Sequence, residues 1–159
     1  MDVETVLKLL HVAAASVFVA GLIGRGLVLG RARRSRYLAE IELYLKLSDP
    51  FEKMVVQGSI AVLVLGIVTM IAQGRPLFQE GSYWLPTSIA LFATIIVLVP
   101  TIFIPRGKAF GRALDDARQR GEVTEELDRA FRDDTVAFAR IYEFVVVGIM
   151  GALMVLKPF

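Results

Sequence analysis

The chain has 159 residues, 55% hydrophobic and 21% charged, with a formal net charge of +2. That length allows one compact domain, taken here as 1–159, and the near-balance of charge gives no reason to expect a nucleic-acid partner. The absence of cysteine excludes disulfides, thiolate metal sites, iron–sulfur clusters and cysteine nucleophiles.

Charge and apolarity are segregated along the chain. Met54–Gly74 contains no charged residue, and neither does Gly81–Pro105. Spanning a hydrocarbon core takes about 20 predominantly apolar residues, so both runs are long enough. A soluble helix would instead interrupt its apolar face every third or fourth residue. The pattern predicts an all-α polytopic membrane protein: an antiparallel bundle of four transmembrane helices with helical cytoplasmic extensions.

The first span is predicted over about 5–30. It opens with Asp2 and Glu4 where a cleaved signal peptide would carry basic residues. His11, Ala14, Phe18, Gly21 and Arg25 recur at steps of three and four and so share one helix face. At 1.5 Å rise per residue, His11 and Arg25 are about 21 Å apart. The second span is predicted over about 50–73. Asp49 suits the cap position, Pro50 the first helical position and Glu52 the capping-box acid, and "GRP" should stop the helix after Gln73.

The third span is predicted over about 84–105. Tyr83 and Trp84 suit interfacial depth, Pro86 lies in the first turn, Pro100 should bend the helix and "IPRG" should end it. The loop 106–134 should be partly helical, with Phe110, Leu114 and Ala117 at helical spacing before Gly121, and Thr124 capping a second helix. That second helix is expected to run unbroken into the fourth span, predicted over about 135–156. This loop is either a docking surface for a homo-oligomer or larger membrane complex, or a solvated, ion-paired extension. Two small-xxx-small patterns, Gly26–Gly30 and Gly148–Ala152, mark sites where helices can approach closely.

Basic residues set the orientation. The first long loop carries Arg31, Arg33, Arg34, Arg36, Lys46 and Lys53; the second carries Arg106, Lys108, Arg112, Arg118, Arg120, Arg129 and Arg132. The turn between the second and third spans has only Arg75. Both long loops are therefore expected in the cytoplasm, where they can also meet anionic lipid headgroups, with both termini on the far side.

Ionisable groups within spans mark function or buried pairs. Counting from opposite ends of antiparallel helices puts Glu143 at about the depth of Arg25, giving a polar network of Arg25, Gln57, Arg140 and Glu143 that serves as a structural latch or a proton relay. His11 is the only histidine. It is either a haem ligand or an interfacial side chain hydrogen-bonded to a neighbouring helix, near Gln73, Tyr83 and Trp84. A bis-histidine haem would need a second chain. No catalytic residue and no metal-ligand spacing is apparent.

"LKLLHVAAASVFVAGLIGR", "DPFEKMVVQGSIAVLVLGI" and "RIYEFVVVGIMGALMVLKP" resemble the bacterial predicted integral membrane proteins of domain-of-unknown-function family 2269, in order along nearly the whole chain. The resemblance implies a four-helix inner-membrane protein and supplies no activity. The first span is also similar to that of copper-resistance D-type proteins and of the J-type protoporphyrinogen oxidase. In the latter the first-span histidine is associated with haem, which would carry over to His11 alone. Two readings stay open: a non-enzymatic subunit, scaffold or transport-related component, and a haem-linked redox protein using His11.

Overall fold

The computed structural model describes residues 2–78 and 83–158. Among these residues all regular structure is helical: α1 (Val3–Ala32), α2 (Leu38–Ala72), α3 (Trp84–Leu98), a π-helical turn (Val99–Phe103), α4 (Ile104–Arg120), α5 (Glu125–Phe131) and α6 (Asp134–Leu156). Four segments are long and apolar enough to cross a membrane: Val3–Ala32, Leu38–Ala72, Trp84–Arg120 and Glu125–Leu156. Their apolar side chains face outward in quantity. Val12, Ile60, Val64, Ile71 and Val97 are all exposed, as a lipid-facing surface requires and an aqueous one does not tolerate.

Two compact units divide the chain: residues 1–32 with 42–79, and Arg33–Ile41 with the stretch from 80 onward. In the first, α1 and α2 pack antiparallel over glycines. A Cβ added at Gly58 would stand 2.9 Å from the Phe18 Cα, and one at Gly21 would stand 3.0 Å from both the Phe51 carbonyl and the Val55 nitrogen. The backbones touch at these points because no side chain intervenes. Of the glycines predicted from small-xxx-small spacing, Gly30 and Gly148 are not such points, since an added Cβ at either would meet nothing within 4 Å.

The second helix does not begin at Asp49. α2 starts at Leu38 and carries Pro50 in its interior. Proline there removes a single ladder bond, and the stretch before it is itself helical, with Ile41 buried. Asp49, Pro50 and Glu52 form a start signal only where the preceding residues are not already helical.

In the second unit α3 and α6 pack together. The Tyr142 hydroxyl donates to Thr94 Oγ1 at 2.8 Å, and Lys157 Nζ lies 5.6 Å from the centroid of the Trp84 ring. These contacts fix an antiparallel register. Pro100 does not end the third helix. It lacks an N–H to donate, and the helix widens for one turn so that the Ile104 N–H reaches the Val99 carbonyl, five residues back. The backbone then continues through Pro105 to Arg120, beyond the predicted end at 105.

Gly121, with φ +71°, closes α4 in the left-handed region. Thr124 caps α5 by accepting from the Leu127 N–H. α5 does not run into α6, because Asp133 is extended and accepts from the Thr135 and Val136 N–H groups, starting a new helix. Phe110 packs edge-on against Phe131 at 4.9 Å, and Arg106 Nη1 bonds Asp133 Oδ2 at 2.9 Å. The α4–α5 hairpin is therefore an ordered unit.

Candidate functional site

His11 lies on the α1 face that meets α2. A Cβ added at Gly66 would stand 3.1 Å from its Cε1 and 3.4 Å from its Nδ1, so the imidazole edge rests on the bare backbone of α2. Its Nδ1 is buried and has no hydrogen-bond partner among the described residues. The expectation of an inward-facing histidine is met. Gln73 does not stand at its level: it lies seven residues beyond Gly66, about 10 Å further along α2.

The same antiparallel register places the other candidates of this unit. Gly24 meets the Phe51 ring and Gly21 meets Met54, so Arg25 stands near the level of Pro50. Gln57 is exposed and lies seven residues from that level, again about 10 Å. The register does not bring Gln57 to Arg25. Arg25 itself is half-buried and engages a partner.

Glu143 is the outstanding residue of α6. It is 3% exposed, and Ala139 and Val146 are buried on the same face at steps of four and three. Thr94 lies ten residues into α3 from Trp84, so the Tyr142–Thr94 bond puts Glu143 about 15 Å from the Trp84 end. That is half the thickness of a hydrocarbon core of about 30 Å. Arg140, one turn earlier, is half-buried, and neither it nor Glu143 is without an interaction partner.

No group of three or more His, Cys, Asp or Glu among the described residues is placed to hold a metal ion. The family model described as a predicted integral membrane protein matches residues 5–158. The chain belongs to this family, domain-of-unknown-function family 2269. Membership and the four apolar helices together make it an integral, multi-pass membrane protein that sits in a lipid bilayer. No curated protein and no solved structure matches it, and the likeness to copper-resistance and protoporphyrinogen oxidase proteins is not shown.

Sequence reasoning missed the glycines that set the α1–α2 approach: Gly21, Gly24, Gly58 and Gly66. One signal was available. His11, Phe18, Gly21 and Arg25 share a face of α1, and Gly58 and Gly66 fall eight residues apart on α2, close to two turns.

Proposed function

We propose that this member of the family is a non-enzymatic subunit, scaffold or transport-related component of a bacterial inner membrane. Its first and last spans are stapled in a four-helix bundle by an Arg25–Glu143 pair. The observation that carries this reading is Glu143, a carboxylate only 3% exposed on an apolar helix. An uncompensated charge in that position costs several kcal/mol, so it needs a cation. Arg25 is the cation within the first span, and Arg140 lies one turn from Glu143. Both long basic loops face the cytoplasm in this reading, and the ordered α4–α5 hairpin is the surface offered to an oligomer or larger complex.

A double-mutant cycle tests the staple. Glu143→Gln and Arg25→Ala should each lower the unfolding free energy of the detergent-solubilised protein, by about 3–5 kcal/mol if the surviving charge stays buried. The double variant should lose much less than the sum. Strict additivity would overturn the pairing.

A haem-linked redox role for His11 is the second reading. It is favoured by one observation, a buried imidazole nitrogen without a partner. One feature weighs against it: the Nδ1 edge lies on the Gly66 backbone, which leaves no room there for a macrocycle. A visible absorption spectrum of the purified protein decides between the readings: a Soret band lost in His11→Ala would install the haem role.

A further inference from the structure

Many charges of the α4–α5 hairpin are paired off. Arg118 bonds Asp115 at 3.1 Å, Arg120 bonds Asp116 at 3.1 Å, Arg129 bonds Glu125 at 3.1 Å and Arg132 bonds Asp128 at 3.0 Å. Lys108 and Arg112, on the first turns of α4, differ. Both are exposed, and neither side chain forms a hydrogen bond or ion pair with any described residue. Standing four residues apart, they share one helix face with about 5–6 Å between their Cβ atoms.

The space in front of them is open. Lys108, Gly111, Arg112 and Asp115 line a shallow depression of about 560 Å³, and a Cβ at Gly107 or Gly111 would meet nothing within 4 Å. Asp115 and Asp116, three and four residues beyond Arg112, are committed to Arg118 and Arg120. Arg33, Arg34 and Arg36 belong to the same compact unit. They are also exposed and make no hydrogen bond or ion pair among the described residues.

Depth supplies the remaining argument. About 20 residues counted from Trp84 bring the third span to the hydrocarbon edge near Ile104. Lys108 then lies about 6 Å and Arg112 about 12 Å beyond that edge. The headgroup layer extends about 5–8 Å past the hydrocarbon, and the arginine stem lets its head reach back toward it. Unpaired cations at headgroup depth, beside cations already satisfied by carboxylates, call for an anion supplied by the membrane.

We propose that Lys108 and Arg112 clamp the phosphate of an anionic phospholipid headgroup, with Arg33, Arg34 and Arg36 strengthening the local positive field. This rests on the four-span reading and not on which side of the membrane the loops face. The test is equilibrium binding of a fluorescent short-chain phosphatidylglycerol to the detergent-solubilised full-length protein, with phosphatidylcholine of the same chain length as comparison. Detergent leaves both ends of the bundle accessible, so an error in orientation leaves the binding intact.

Saturable binding that prefers phosphatidylglycerol and weakens with salt is the expected result. The exposed double substitution Lys108→Gln/Arg112→Gln should weaken it about 30-fold, at about 1 kcal/mol per basic residue. Arg129→Gln, which removes a cation already paired with Glu125, should leave it unchanged. Equal affinity for both lipids, no loss in the double variant, or displacement by millimolar inorganic phosphate would each overturn the proposal. Displacement by phosphate would assign the site to a free anion instead.

Discussion

Two glycines in membrane-spanning helices should respond oppositely to the same one-carbon change. In an unobstructed helix, Gly→Ala gains up to about 1 kcal/mol of helix propensity. At Gly148 the added methyl meets nothing within 4 Å, so Gly148→Ala should be neutral or stabilising. At Gly58 it would stand 2.9 Å from the Phe18 Cα and 3.0 Å from the Phe18 nitrogen. Backbone cannot rotate away as a side-chain tip can, so α1 and α2 must separate. Overpacking of this kind costs about 1–3 kcal/mol, which outweighs the propensity gain at the upper end and cancels it at the lower. The two variants should therefore differ by about 1–3 kcal/mol, with Gly58→Ala the less stable. Reversible denaturant unfolding of both proteins in one detergent, followed by far-ultraviolet circular dichroism, measures the difference. Equal stability of the two would refute the close α1–α2 approach.

Other consequences are testable separately. An alkaline phosphatase fusion after Phe159 should be active and one near Gly121 inactive; the reverse would invert the orientation. Thr124→Ala should cost about 1 kcal/mol through loss of the α5 cap, seen as faster amide exchange over 125–131. Exchange within α6 should not change, since Asp133 caps that helix independently. The Thr5 hydroxyl donating to Asp2 lowers the Asp2 carboxyl pKa. Because the folded value is the depressed one, this contribution to the start of α1 is present above the unfolded pKa and lost as pH falls through the folded value. Thr5→Ala should move the Asp2 titration upward in an NMR pH series, and an unmoved titration would remove the hydroxyl as its cause.

The amino-acid sequence by itself determined the class of protein and the existence of its four apolar helices, because long uncharged runs reflect a property summed over many residues. It also determined the local stops and starts whose chemistry is complete within a few residues: Gly121 closing α4 and Thr124 capping α5. The same local chemistry misled where context could override it. Asp49 and Pro50 read as a helix start, yet they lie inside α2, and "IPRG" read as an end, yet the helix runs through Pro105 to Arg120. Only the tertiary structure decided which glycines matter, since a small residue permits close approach but the facing helix determines whether anything approaches. It decided likewise that Glu143 is buried, that Gln57 is exposed, and that His11 rests on Gly66. Spacing along one helix gives a side chain its face, and what lies across from that face depends on the register of another helix, which no single segment encodes.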